Sequence, residues 1–319
     1  MMKALVTGGA GFIGSHLAEA LVKRGDRVRI VDNLSAGVLK NLKGVANHVE
    51  FIRGDIRNEN LLRRAVKGVE VIFHQAALRS VPKSVDNPAA YHEVNVTATF
   101  HLLRLSKEAG VRRIVYASSS SIYGDHTPLP QSEQILPRPQ SPYAASKLAM
   151  EVYCTMFTRL YGLETVGLRY FNVFGPRQSL ENKYAVVVPK FITSMLAGEH
   201  PPIHGDGRQT RDFTYVANVV HANLRAALAR KGAGEVFNVA SGTRHSVREL
   251  AELIRKILGV KIAPKFGPKR KGDVLHTWAD IRKAKRLLGY RPIVPFEEGV
   301  RRTADWFTRN RNEWNLESS

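Results

Sequence analysis

The chain has 319 residues, 44% of them hydrophobic, and its 48 lysines and arginines outnumber 28 acidic residues, which gives a formal charge of +20. This length and composition can bury a large core, which excludes a disordered protein, and the single cysteine, Cys154, excludes an internal disulfide. No apolar run reaches the roughly 20 residues that cross a bilayer and no short Cys/His spacing predicts a structural metal site, so we expect a cytoplasmic, metal-free protein without membrane association.

Short apolar runs alternate with stretches of helical spacing through the first half of the chain. The apolar runs predict strands over residues 3–7, 27–31, 49–53, 69–74, 113–117 and 164–169, and the first helical stretch covers residues 15–23. Strands that alternate with helices in this way favour a parallel sheet covered on both faces. We therefore predict an α/β protein with a Rossmann-type, doubly wound parallel sheet.

The alternation loosens from about residue 172, where proline- and glycine-containing connections become frequent. Helices are predicted over residues 189–197, 247–258 and 296–310, and short strands near 211–215 and 235–239 can return to the first lobe. We expect an NAD-binding Rossmann domain over residues 1–171, with returning segments near 205–240. Residues 172–319 then form mainly a smaller α/β substrate lobe.

Three glycines form a GxxGxxG pattern between the first predicted strand and helix, namely Gly8, Gly11 and Gly14. Where side chains are missing, backbone N–H groups and a helix N-terminus can approach a pyrophosphate. The second strand ends at Asp32, 18 residues after Gly14, which is close to the spacing of about 20 expected for a carboxylate that binds a ribose diol. Because a carboxylate repels the 2′-phosphate of NADP, the pattern predicts NAD as the cofactor.

Tyr143 and Lys147 form a YxxxK pair at the start of a predicted helix, so both side chains lie on one helical face. An ammonium beside a phenol favours the phenolate, and Lys147 is therefore expected to bring Tyr143 into the range of a general base. Ser119 follows the strand that ends near Ala117 and is predicted to hydrogen-bond the same substrate hydroxyl. These three residues are our candidate catalytic group.

Over essentially its whole length the sequence resembles the extended short-chain dehydrogenase/reductases, and among them the UDP-galactose 4-epimerase group. The matching segments are TGGAGFIGSHL, VDNLS, GDIRN, SSSSIYGD, SPYAASK, GLRYFNVFGPRQ, GDGRQTRDFTYV and GDVLHTWADIRKA. The resemblance implies 4-epimerisation of UDP-hexoses, in which Tyr143 takes the proton of the sugar 4-hydroxyl and NAD⁺ takes the C4 hydride. The resulting 4-keto sugar rotates in the pocket and receives the hydride on its opposite face. The cofactor is thereby regenerated, and no net oxidation occurs.

The resemblance also assigns residues to the cofactor and the substrate. On the adenosine and pyrophosphate side it implies Phe12, Ile13, Asp32, Asn33 and Ser35, with Asp55 and Ile56 near adenine. Around the remaining cofactor it implies Ala76, Arg79, Asn95, Lys147 and Phe171. For the UDP portion of the substrate it implies Asn172, Arg211, Arg270 and Asp273. Thr277 resembles the wall of the sugar pocket nearest the 2-substituent, where a threonine is expected to leave room for an N-acetyl group.

Related activities are open alternatives. Dehydratases that look similar carry an Asp-Glu pair after the catalytic hydroxyl residue, and UDP-glucuronate decarboxylases carry a glutamate at the second of these places. This chain has Ser120 and Ser121 there, which favours epimerisation. UDP-glucuronate 4-epimerases share the serine run but resemble FxTVYGP where this chain reads FNVFGP from Phe171, and they are the alternative enzyme.

The basic residues and the resemblance also bear on partners. Lysines and arginines are scattered along predicted helices rather than gathered in one block with interleaved aromatic residues, so we expect no nucleic-acid partner. A noncatalytic NAD-binding or RNA-binding relative is the alternative from another class, but such a protein need not keep Ser119, Tyr143 and Lys147 together. The resemblance further implies a homodimer formed by the helices that follow Asn95 and Tyr143.

Overall fold

A computed structural model describes residues 1–125, 127–180, 187–268 and 275–311. The strands within these residues are β1 (Lys3–Thr7), β2 (Arg27–Asp32), β3 (Val49–Arg53), β4 (Val71–His74), β5 (Arg113–Ser119), β6 (Glu164–Tyr170), β7 (Val173–Phe174), β8 (Pro202–His204), β9 (Thr210–Arg211), β10 (Thr214–Tyr215), β11 (Glu235–Val239), β12 (His245–Ser246) and β13 (Lys265–Gly267). The α-helices are α1 (Phe12–Lys23), α2 (Glu59–Val66), α3 (Val81–Asp86), α4 (Pro88–His92), α5 (Ala98–Glu108), α6 (Pro142–Tyr161), α7 (Val187–Leu196), α8 (Val216–Leu228), α9 (Val247–Leu258), α10 (Arg282–Leu288) and α11 (Phe296–Arg309).

Seven strands form one parallel sheet in the order β11-β6-β5-β4-β1-β2-β3. The strand order reverses at β1, because β2 and β4 pair on its two sides. Thr7, at the end of β1, is level with Val31 of β2 and His74 of β4. In such a sheet the carboxyl ends of the central strands border the crevice in which a ligand binds. The predicted doubly wound fold is confirmed.

The observed strands agree with most of the predicted ones. In the first half, β1 to β6 match the predicted strands to within two residues at each end. Residues 235–239 form β11, which pairs with β6 and so returns to the first sheet. The strand predicted near residues 211–215 is instead two short strands, β9 and β10, which pair with β12 and β7 in separate small sheets. The chain changes partner at Asp212 and Phe213, whose side chains are both buried.

Buried clusters cover both faces of the sheet and fill the second lobe. Apolar side chains of α1, α8 and α10 pack on one face, and those of α2, α5 and α6 pack on the other. A third cluster joins α7, α9 and α11 and also contains Phe12 of α1, which therefore connects the two lobes. Among the helices that the structure describes, none is long and apolar enough to span a membrane.

Candidate active site

The turn between β1 and α1 brings backbone close to backbone. Gly8 has a φ of +70°, which favours glycine, and a side chain there would lie 2.7 Å from a backbone nitrogen of the connection that follows β4. A side chain at Gly14 would collide with the carbonyl oxygen of Gly8. The helix α1 begins after Gly11, and no side chain caps its first turn. The N–H groups of Phe12, Ile13 and Gly14 therefore provide a binding place for a pyrophosphate.

Asp32 ends β2 beside this turn and is nearly buried, with 7% of its surface exposed. One carboxylate oxygen accepts a hydrogen bond from Ala10 N at 2.9 Å, and the other accepts one from Leu34 N at 2.8 Å. A carboxylate offers about four acceptor positions, so both oxygens keep capacity for ribose hydroxyls. The two backbone bonds hold the carboxylate in one orientation at the rim of the crevice.

Asn33, Ser35, Asp55 and Ile56 lie around the ends of β2 and β3. The amide of Asn33 donates to Asp55 at 2.8 Å, and its oxygen accepts from Ser35 N at 3.0 Å. Arg57 binds the Asp55 carboxylate at 3.0 Å and lowers the pKa of that group to about 2. Asp55 therefore forms an ion pair with Arg57 at the predicted adenosine side, where Ile56 is buried.

The connection after β4 closes the other side of the crevice. Ala76 N donates to the Thr7 hydroxyl at 3.3 Å, which holds this connection at the end of β1. The buried Asn95 exchanges two hydrogen bonds with the backbone of Leu78, at 2.9 and 3.0 Å, and donates a third to Ser146 at 3.0 Å. Because Ser146 belongs to α6, Asn95 fixes the connection against the helix that carries the candidate catalytic pair.

The candidate catalytic residues lie at the ends of β5 and α6. Ser141 caps α6 by accepting a backbone hydrogen bond at 3.1 Å, so the helix begins directly before Tyr143. Ser119 ends β5, and its hydroxyl is near enough to the phenol of Tyr143 to lower the pKa of that group. One helical turn further along α6, the buried Lys147 donates its ammonium to the backbone of β5 at 2.8 Å. The structure thus places the three side chains at one edge of the sheet.

Burial dominates the ionisation of Tyr143 and Lys147. It raises the pKa of Tyr143, while the nearby Ser119 hydroxyl and the positive charge of Arg79 act in the opposite direction. Burial also lowers the pKa of Lys147 to about 8. The positive charge of the exposed Arg79 favours the phenolate. The Lys147 ammonium donates to a β5 carbonyl group, and its predicted effect on the Tyr143 phenol stays a prediction.

The sequence reasoning missed a buried polar network beneath the site. Glu151 of α6 and Arg169 of β6 form an ion pair with two hydrogen bonds, at 2.9 and 2.7 Å. Glu151 also accepts from Ser118 at 2.5 Å, and Arg169 donates to the Tyr123 hydroxyl at 2.9 Å. Tyr123 in turn donates to Asn238 of β11 at 2.7 Å. The sequence contained one indication of this network, namely the arginine within the apolar run of β6. An arginine is almost never fully buried unless it is paired.

Three candidate substrate residues come together beyond the end of β6. Asn172 donates its amide to the Thr277 hydroxyl at 2.9 Å and to the Asp212 carbonyl oxygen at 3.2 Å. Arg211 donates to two carbonyl groups beside it, at 3.0 and 3.1 Å. Phe171, which precedes Asn172, is fully buried in the core. The remaining substrate candidates, which lie outside the described residues, are Arg270 and Asp273.

Comparison with known proteins agrees with this arrangement. A model of the NAD dependent epimerase/dehydratase family matches residues 4–240. The chain belongs to this family. Its relatives include the UDP-glucose 4-epimerase of Mycolicibacterium smegmatis, which is 41% identical over 316 residues that cover 98% of this chain and 100% of the relative.

Other members of the family show the same extent of similarity. The solved structure of the UDP-N-acetylglucosamine 4-epimerase from Methanobrevibacter ruminantium M1, in complex with UDP-N-acetylmuramic acid, has a TM-score of 0.93 and 40% identity, and the match covers 97% of this chain and 98% of that chain. The UDP-glucuronate 4-epimerase of Thermodesulfobacterium geofontis is 36% identical over 317 residues, which cover 96% of each chain. The similarity therefore spans family members with different UDP-sugars in their names.

NAD is the cofactor of this family, and the described residues fit it. The turn after β1 is so close-packed that a side chain at Gly8 or Gly14 would clash with backbone. Asp32 keeps acceptor positions for the adenosine ribose. The charge of Asp32 opposes the additional phosphate of NADP.

Asp32→Ala is expected to narrow the preference for NAD over NADP by at least about tenfold, or ~1.4 kcal/mol, because the charge that repels the 2′-phosphate is removed. Both cofactors should bind more weakly, since two backbone N–H groups lose their acceptor. The ratio of the two dissociation constants, measured by calorimetry, separates these effects. Asp26→Ala, at the opposite end of β2, is the control and should leave the ratio unchanged. Equal binding of NAD and NADP by the unaltered protein would contradict the assignment.

Proposed function

We propose that the protein is a UDP-sugar 4-epimerase, which interconverts UDP-glucose with UDP-galactose and also the corresponding N-acetylated pair. The observation that carries this proposal is the position of Ser119, Tyr143 and Lys147 at the carboxyl edge of the sheet, beside the dinucleotide site. A general base next to a hydride acceptor supports reversible oxidation of a sugar carbon. Relatives with 41% and 40% identity are named as 4-epimerases of UDP-sugars, which supports the same reaction here.

The proton transfers of the proposed reaction are assigned to Tyr143. Ser119 lies beside the phenol and can bind the sugar 4-hydroxyl, because a serine hydroxyl both donates and accepts. Tyr143 takes the 4-hydroxyl proton, and the charge of Arg79 favours the phenolate that does so. Bound NAD⁺ supplies a reversible hydride acceptor at C4. After the 4-keto sugar has rotated in the pocket, Tyr143 returns the proton to the oxygen at C4.

Two serines favour epimerisation over the elimination that related dehydratases perform. Removal of water across C5 and C6 needs a further proton donor and acceptor beside the reacting carbons. Ser120 and Ser121 are half-buried at the places where those enzymes carry an Asp-Glu pair. Ser121 donates its hydroxyl to Ser119 at 2.9 Å, so it helps to orient Ser119. An aliphatic hydroxyl does not ionise near neutral pH and cannot replace the missing carboxylates.

Incubation of the purified protein with UDP-glucose, UDP-N-acetylglucosamine and UDP-glucuronate, each followed by product chromatography, tests the proposal. We expect C4 epimers of the first two sugars and no net reduction of NAD. UDP-glucuronate 4-epimerase is the second candidate function, supported by the relative of that name with 36% identity, and it requires turnover of the third sugar instead. If none of the three sugars is converted, the noncatalytic alternative replaces the enzyme.

Thr277→Tyr is expected to slow the acetylated sugars selectively. Thr277 is half-buried, and its hydroxyl oxygen accepts hydrogen bonds from the amide of Asn172 and from Asp212 N. A phenol ring would fill the space that we propose for the N-acetyl group. Since one methylene-sized change discriminates by about 1–3 kcal/mol, kcat/KM for the acetylated pair should fall by at least about tenfold relative to the plain hexoses.

Thr277→Val is the matched control, because it removes the hydroxyl and its two accepted bonds without adding bulk. It should lower kcat/KM of both sugar pairs by similar factors. The measurement is kcat/KM for UDP-glucose, UDP-galactose and the two acetylated sugars. If Thr277→Tyr depresses all four values alike, Thr277 does not line the pocket at the 2-substituent.

We also propose a homodimer through α5 and α6. The outer side of α6 carries apolar side chains that are more than half exposed, namely Val152 at 61%, Leu160 at 65% and Tyr161 at 51%. Phe100 of α5 packs edge-on against Tyr153 of α6, with ring centroids 5.5 Å apart. Pairing of these helices with those of a second copy would cover the apolar surface. Sedimentation equilibrium should give twice the chain mass of 35.6 kDa, and a monomer would exclude this interface.

The proposed location is the cytoplasm. Cys154 is the single cysteine of the sequence and is buried in α6. A buried thiol without a possible internal disulfide partner is typical of proteins from reducing compartments.

A further inference from the structure

A buried carboxylate joins segments that border the proposed substrate site. Asp212 lies between β9 and β10 and is 0% exposed. One of its oxygens accepts from the backbone nitrogen and the hydroxyl of Ser241, at 2.9 and 2.6 Å. The other accepts from Gly242 N at 3.1 Å and from Ala279 N at 3.3 Å. The side chain therefore ties the turn after β11 and the segment around Thr277 to the end of β9.

The backbone of Asp212 contacts the substrate candidates themselves. Its carbonyl oxygen accepts from the amide of Asn172 at 3.2 Å, and its N–H group donates to the hydroxyl of Thr277 at 3.3 Å. Arg211 is its neighbour in the chain. All three described candidates for the UDP-sugar are thus bonded to Asp212 or adjacent to it.

A carboxylate is the side chain that matches this environment. The four groups that face Asp212 act as donors, so the amide nitrogen of an asparagine would be set against N–H groups. Burial raises the pKa of Asp212 to about 6, and the four hydrogen bonds oppose this shift. Burying a charged group costs free energy even when it is well bonded, which indicates a role beyond filling space.

We propose that Asp212 is the positioning residue of the UDP-sugar site. Its carboxylate sets the places of Asn172, Arg211 and Thr277 relative to one another and so determines the affinity for the UDP portion. This inference rests on the proposed function, because it takes UDP as the ligand of these residues. Asp212 acts through its neighbours and does not itself contact the ligand.

Asp212→Asn tests the proposal, with UDP alone as the probe. We expect calorimetry to show UDP bound at least about tenfold more weakly, because two of the four hydrogen bonds are lost, and KM for the UDP-sugar to rise by a similar factor. The value of kcat and the dissociation constant of NAD should stay within about twofold, because the catalytic group is not bonded to Asp212. A merely structural role would lower kcat, NAD binding and Tm together.

Asn218→Asp is the matched control. Asn218 is also buried, and its amide makes three hydrogen bonds to the backbone of residues 293–294 at 2.8 to 2.9 Å. The exchange sets a carboxylate oxygen against the carbonyl oxygen of Val294 and should lower Tm. It should leave UDP affinity unchanged, because Asn218 has no bond to the substrate candidates.

Unchanged UDP affinity in Asp212→Asn, or an equal loss in Asn218→Asp, overturns the proposal. If Asp212→Asn does not fold, Ser241→Ala replaces it, because it keeps the carboxylate and removes its shortest bond, together with the contacts of the Ser241 hydroxyl to Thr243. That variant should weaken UDP binding about threefold, and unchanged affinity then overturns the proposal as well. Failure of the unaltered protein to bind UDP would remove the proposed function, and this inference with it.

Discussion

Tyr143→Phe is expected to lower turnover of every UDP-sugar substrate by about 10²- to 10⁴-fold, because it removes only the hydroxyl that acts as general base. The ring should keep its place, since it packs edge-on against Tyr91 with centroids 6.3 Å apart at the start of α6. NAD affinity and Tm should therefore change little. The measurement is kcat for each active sugar, together with calorimetry for NAD.

Tyr153→Phe provides the control, because it removes a phenol hydroxyl from the same helix, α6, away from the site. It should retain near-normal turnover. A Tyr143→Phe variant with near-normal rates would show that another group removes the proton, and the mechanism proposed above would be wrong. A large loss in both variants would point to a general effect on α6 instead.

Glu151→Ala is expected to lower the free energy of unfolding by about 3–5 kcal/mol, because it leaves the buried guanidinium of Arg169 without its partner. Glu151 is 5% and Arg169 3% exposed, and the pair makes two hydrogen bonds. Water can therefore not solvate the remaining charge. Urea unfolding, monitored by circular dichroism, measures the loss.

The double variant Glu151→Met with Arg169→Met removes both charges at similar volume. Its free energy of unfolding should lie well above that of Glu151→Ala, because no unpaired charge is left buried. Turnover should nevertheless fall in the double variant, since Ser118 loses its bond to α6 and directly precedes Ser119. A cost of less than about 1 kcal/mol for Glu151→Ala would show that the pair does not hold α6 against the sheet.

The framework of the protein could be derived from local features of the sequence. The first six strands follow from short apolar runs, because strands buried on both faces need apolar side chains throughout. The roles of Gly8, Gly14 and Asp32 could also be predicted from local sequence, because all three belong to one strand–helix–strand unit. Helical periodicity alone puts Tyr143 and Lys147 on the same face of α6.

The electrostatics of the site depended on tertiary structure. The direction of the Lys147 ammonium is decided by a β5 carbonyl group that lies across from it at 2.8 Å. Arg79, from the connection after β4, adds a positive charge that lowers the pKa of the Tyr143 phenol. No spacing rule relates Arg79 or the β5 carbonyl group to α6, because these parts of the chain meet only in the folded protein.

The sequence by itself determined the sheet, the nucleotide turn and the identity of the candidate catalytic residues, whereas only the tertiary structure decided the buried polar contacts. Glu151 and Arg169 are 18 residues apart, and Asp212 and Ala279 are 67 residues apart. Asp212 interrupts a predicted strand because its carboxylate is bonded to donors from distant segments. A buried hydrogen bond or ion pair is strong because water is excluded from it, and that exclusion is a property of the folded chain rather than of any local run of residues.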